Sequence, residues 1–144
     1  MASKLYGNFL KQALNKEIDF DTDTIKVALV SSSYTPNQDT HDYWDDVNTY
    51  EVSGTGYTSG GATLASKTST YDSGTNTIVL DAADVTWSSS TITARYAVVY
   101  NDSGASAAAK ALIGYVDFGS NQSSTNGNFT ITWDATGIVR ITVA

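Results

Sequence analysis

Apolar and polar residues alternate over most of the chain. Ile25, Val27 and Leu29 alternate with Lys26 and Ala28. Period-two alternation puts one set of side chains on one face of a strand, so a strand is predicted over residues 24–30. Similar patterns predict strands over residues 63–70, 76–81, 84–87, 91–100, 111–118, 128–134 and 138–143. In the clearest of these, Ile92, Ala94, Tyr96, Val98 and Tyr100 fall on one face. The serines at 88–90 separate two strands, and residues 119–127 read as a polar turn. The predicted core includes Ile92, Tyr96, Val98, Phe129, Ile131, Ile141 and Val143.

The first residues follow another period. Leu5, Phe9, Leu10, Ala13 and Leu14 share one face of a helix, with Ser3 as a plausible N-cap and Gly7 as a weak point. Residues 34–62 show no regular period. They hold Pro36, the glycines at 54, 56, 60 and 61, and a short helical candidate over residues 42–47. Many short strands with turn signals and no βα alternation predict a mainly β fold. The expectation is an antiparallel β-sandwich or barrel-like domain with a short N-terminal helix. Residues 1–144 read as one domain, with a helical segment over 1–18, a long loop excursion over 34–62 and a β core over 63–144.

Charge narrows the classes of function. The formal net charge is −7, and all acidic residues except Glu17 and Glu51 are Asp. Asp bonds nearby backbone N–H groups and favours turns, so the acidity is mostly turn chemistry. The eight basic residues are scattered, whereas nucleic-acid binding needs clustered cations. No nucleic-acid partner is expected. No apolar run approaches the ~20 residues that cross a bilayer, so no membrane partner is expected, and nothing resembles a signal peptide. Without Cys there is no disulfide, thiolate nucleophile or Cys-held zinc.

Catalytic patterns are equally sparse. His41 is the lone His and no G-x-S-x-G elbow surrounds a serine. Asp19, Asp21 and Asp23 start like a calcium loop, but Thr24 and Val30 stand where Gly and Glu are needed. A capped turn before a strand is the better reading. His41, Asp42, Asp45 and Asp46 read as an exposed acidic loop rather than a metal patch. The glycines at 54–61 lack the lysine of a phosphate loop and read as a flexible turn. No catalytic residue, metal or cofactor is expected.

The aromatics are the positive signal. Tyr34, Tyr43, Trp44, Tyr50 and Tyr57 all lie in the long loop. Either the loop folds back over the sheet with a small core of its own, or its rings meet a partner or a glycan. The residues marked for partner binding are Leu5, Tyr6, Tyr43 and Trp44.

Several segments carry a family likeness: Lys4-Leu5-Tyr6-Gly7, Ala13-Leu14-Asn15-Lys16-Glu17-Ile18-Asp19 and Asp23-Thr24-Ile25-Lys26-Val27-Ala28-Leu29. Residues 54–62, 91–100, 113–119, 129–134 and 137–138 carry it further. Over nearly its whole length the chain resembles small virion proteins of tailed bacteriophages. The resemblance implies a structural protein, either a head decoration (cement) protein on the capsid surface or a tail or neck component. It implies the major capsid protein or other virion proteins as partners, and a homo-oligomer, a trimer before a dimer. A carbohydrate-binding or adhesin module, with Tyr43 and Trp44 as a stacking platform, is the alternative from another class.

Overall fold

The computed structural model describes residues 2–144. In chain order the elements are β1 (Ala2–Leu5), α1 (Phe9–Leu14), β2 (Ile25–Val30), β3 (Ala62–Thr63), β4 (Thr68–Asp72), β5 (Thr77–Asp81), β6 (Val85–Asn101), β7 (Leu112–Ile131) and β8 (Val139–Thr142). Two antiparallel sheets result, a five-stranded one in the order β1-β7-β6-β2-β3 and a three-stranded one in the order β4-β5-β8. They stack as a sandwich and do not close into a barrel.

The large sheet is covered on both faces. Ile25, Val27 and Leu29 of β2 pack into a first core, shared with Leu80 of β5 and Val139 of β8. Ala28 and Val30, from the same strand, enter a second core with Tyr6, Tyr34, Trp44 and Val47. Burial on both faces is why β2 reads as an almost continuous apolar run.

Two predicted breaks are absent. Val85–Asn101 form one strand, and Leu112–Ile131 form another that absorbs the predicted turn at 119–127. The serines at 88–90 mark a bulge instead, with Ser89 at φ 48° and a register shift between Trp87 and Ser90. Another shift lies between Ala94 and Tyr96, where the ladder passes from Gln122 to Asp117. The extra residue lies on β6 at the first irregularity and the extra residues lie on β7 at the one beside Arg95, and across each the residues of β6 that face inward change. Val85 and Trp87 face the first core, then Ile92 and Ala94, then Ala97 and Val99. The single face expected for residues 92–100 is therefore split: Tyr96, Val98 and Tyr100 serve the second core.

The N-terminal helix is shorter than expected. Ala2–Leu5 is an edge strand on β7, with Ser3 opposite Val116, so Ser3 caps nothing. Pairing with an open sheet edge overrides the local helical pattern. The helix starts after Gly7, whose N–H bonds the Gln38 carbonyl at 2.8 Å. Phe9 and Gln12 are its buried residues, while Leu10 and Leu14 are 44% and 84% exposed. At the other end of the chain Val143 is also exposed, one residue past the end of the edge strand β8.

Away from the second core, the outer face of β6 and β7 is polar. Thr86 Oγ1 meets Thr130 Oγ1 at 2.9 Å and Thr93 Oγ1 meets Ser123 Oγ at 2.8 Å. On the inner side the first bulge is held by buried Ser90. Its Oγ lies 3.0 Å from the carbonyls of Trp87 and Gly127 and 2.7 Å from Ser124 Oγ. Removing it leaves buried polar groups without a partner. Ser90→Ala is expected to cost about 1–3 kcal/mol, read as a lower urea midpoint at unchanged slope. An unmoved midpoint would show that the bulge does not depend on this hydroxyl.

Candidate functional site

The long loop folds back over the large sheet and builds the second core, the first of the two outcomes open to its aromatics. Short 3-10 turns at Trp44–Asp46 and Asn48–Tyr50 replace the helix expected near residues 42–47. Trp44 lies flat on Tyr100, with ring centroids 4.2 Å apart and planes 5° from parallel. Tyr6 and Tyr34 share a buried hydroxyl contact of 2.8 Å, and the Tyr34 hydroxyl also meets His41 Nδ1 at 2.9 Å. Backbone bonds from Trp44 N to Lys110 O and from Leu112 N to Asp42 O fasten the loop to the end of β7.

The structure therefore separates the residues marked for partner binding. Tyr6 and Trp44 are 2% and 6% exposed, because each ring is more stably packed on β6 and β7 than presented to water. Neither offers a free face in this chain. Leu5 is half-buried against the first core. Tyr43 is half-buried, and its hydroxyl donates to Glu17 Oε2 at 2.8 Å. Leu10 and Leu14 were missed as exposed groups, because the helical pattern placed them on the same face as buried Phe9.

The acidic residues act as fasteners. Asp19 Oδ1 accepts the N–H groups of Asp21 and Thr22, and Asp23 Oδ2 accepts that of Asp19. This is the capped turn before a strand. Asp102 bridges Lys26 of β2 at 2.8 Å and Lys110 at 2.6 Å. Burial raises the Asp102 carboxyl, but hydrogen bonds from Lys110 and Lys26 outweigh it and hold the group below its ordinary range. Glu51 pins the glycine loop, accepting from Tyr57 at 2.7 Å, Ser59 at 2.9 Å and the Gly60 N–H at 2.6 Å. Gly61, at φ 77°, lies so close to β2 that a Cβ would fall 2.0 Å from the Val27 carbonyl. The loop expected to be a flexible turn is thus seated on the sheet.

Around His41 the polar groups are taken up locally. His41 Nδ1 meets Tyr34, and Asp46 Oδ2 accepts the Asp42 N–H at 3.0 Å. Burial and the neighbouring charges of Asp46 and Asp45 raise the Asp42 carboxyl. Among the described residues no group of three His, Cys, Asp or Glu is placed to hold a metal ion. Among the described residues no helix is long and apolar enough to cross a membrane.

A concave feature lies beside β8. A groove of about 740 Å³ runs between β8 and the inner face of β1 and β7, lined by Leu5, Val116, Phe118, Ile131, Ile138 and Val139 among others. The small sheet has only three strands and leaves this flank of the larger sheet uncovered. No family model matches the chain, and no curated protein or solved structure matches it.

Four tyrosines link the two cores to pH. Burial raises Tyr34, only partly offset by its hydrogen bond with Tyr6, to about 12 from the ordinary 10.0. Burial raises Tyr6, Tyr57 and Tyr100 further, with Glu51 adding to the effect at Tyr57 and the charge of Asp102 at Tyr100. The folded chain holds protons that the unfolded chain releases above pH 10.0. Their contribution to stability is therefore complete below that pH and falls as pH rises through it toward about 12. An alkaline titration is expected to show these four phenols ionising together with loss of structure. Tyrosinate absorbance that rises fully while the far-UV spectrum stays native would contradict this.

Proposed function

We propose that the chain is a structural protein of a tailed-bacteriophage virion, bound as a decoration protein to the outside of the head. The observation that carries this reading is where the family likeness falls. Its segments form β1, β2, the Glu51-pinned glycine loop, and both long strands β6 and β7. The likeness thus runs through the elements that make the frame. Physics supports the same role. A decoration protein needs a rigid body, a polar exterior and a means of grip. Two cores on one sheet give rigidity. The Ser/Thr face of β6 and β7 gives a polar, weakly charged exterior.

Grip is assigned to the N-terminal segment, through Leu10 and Leu14. These lie one helical turn apart and are exposed. The proposed partner is the major capsid protein, and the proposed assembly is a homotrimer on local threefold positions. The glycan-binding alternative has less support, because Trp44 is stacked under Tyr100 and cannot serve as an open platform.

A ligand that binds only the intact shell stabilises it by mass action. Particles made without this protein are expected to assemble, and then to lose their DNA at lower temperature than complete ones. Adding the purified protein back should restore heat resistance, and the Leu14→Asp variant should not. Sound heads with missing or broken tails would move the assignment to the tail. Stable particles that no longer attach to cells would favour an adhesin.

A further inference from the structure

The two sheets are out of step, and each flank complements the other. Residues directly opposite one another on paired strands share a face. Tyr71 of β4 is opposite Ile78, and Ser69 is opposite Leu80. Ile78 and Leu80 are in turn opposite Ile141 and Val139 of β8. All six therefore lie on the inner face of the small sheet. Leu80 and Val139 are buried there, yet Tyr71 is 57% exposed and β4 has no buried residue. At β4 the small sheet overhangs. At β8 it stops short, and the 740 Å³ groove over β1 and β7 lies open beside it. Among the described residues neither β4 nor β8 has a second ladder partner.

Charge matches the same two edges. On the outer face Asp72 is opposite Thr77, which is opposite Thr142. Thr70 is opposite Val79, which is opposite Arg140. Asp72 is the one charged residue of β4 and Arg140 the one charged residue of β8. Arg140 makes no ion pair among the described residues. One edge thus carries an anion, which also closes the β4–β5 turn through the Gly74 N–H and the Thr75 hydroxyl, and the other a cation, both on the same face. A twofold joint, β4 to β4 or β8 to β8, brings no opposite charges together. A head-to-tail joint does.

We propose that the small sheet continues from one copy of this chain to the next, with β4 of one copy adding to the free edge of β8 of its neighbour. This strand addition seats Ser69 and Tyr71 over the groove and brings Asp72 toward Arg140. Because β4 and β8 both run antiparallel to β5, the two strands at the joint run parallel. Such a joint is heterologous. It closes into a ring where the rotation allows and otherwise grows. The inference does not rest on the virion assignment and goes beyond it, since it names the surfaces that join copies in any setting.

The test is native mass spectrometry of the purified full chain with three variants over a concentration series. Wild type is expected to form an oligomer. Tyr71→Asp spoils the inserted strand, and Val116→Arg blocks the groove on the inner face of β7. Each alone is expected to be monomeric with a native far-UV spectrum. Mixed in equal amounts, they should form a one-to-one dimer and nothing larger, because each supplies the half that the other lacks. Thr132→Trp, at an exposed position lining the groove, replaces Val116→Arg if that variant does not fold. A monomeric wild type overturns the proposal. So does an oligomer that survives both substitutions, or a mixture that stays monomeric.

Discussion

A strand feeds each of its faces with alternate residues only, and β6 has to feed two cores. Its residues up to Ala94 give one face to the first core and the other to water. From Tyr96 onward both faces are buried. The irregularity at Arg95 reconciles the two stretches. It turns Tyr96, Val98 and Tyr100 outward onto the aromatic loop while Ala97 and Val99 take over the inner face. Without that change of phase Trp44 has no Tyr100 to lie on, and the loop over residues 34–62 has no surface to cover. Asp117 helps to hold the point, with its carboxylate 2.6 Å from Arg95 Nε and accepting the Gly119 N–H at 2.7 Å.

The same arrangement decides what the surface can offer. The rings of Tyr34 and Trp44, which in an open loop would be free to meet a partner, are spent inside, and carboxylates close turns or pin the glycine loop. What remains outside is a Ser/Thr-lined ribbon, two exposed leucines on α1, and the unequal flanks of a small sheet laid on a larger one. These features suit a body that works by contact, as the proposed virion role requires. Recognition through strand edges and small apolar knobs depends weakly on salt, in keeping with scattered cations on an acidic chain.

The sheet class was legible because alternation survives wherever one face is buried and the other is wet, as in residues 84–87 and 128–131. It failed in three places for separable reasons. Residues 119–127 carry almost no apolar side chain, so strand and turn look alike until the partner strand is known. At Arg95 the faces of β6 change without a gap in the hydrophobic pattern, because the extra residues of the irregularity lie on β7, so residues 92–100 keep a regular alternation while their faces exchange. At the N-terminus a helical period and an edge strand compete, and the open edge of β7 decides between them. Of the residues marked for contact, Tyr6 and Trp44 turn inward to the second core, and the local sequence does not carry that direction. That depends on Tyr100, more than fifty residues further along the chain. The groove had no sequence signal, since it exists only through the offset of two sheets.

Removal of Arg95 tests the phase change most directly, because deletion and substitution separate the residue's position from its side chain. Arg95→Ala keeps the count of residues. It should retain cooperative unfolding and the near-UV signal of Trp44 stacked on Tyr100. Deletion of Arg95 changes the count by one, sends Tyr96, Val98 and Tyr100 toward the wrong core, and should abolish both. A deletion variant that unfolds cooperatively near the wild-type midpoint with the near-UV signal intact would contradict the account.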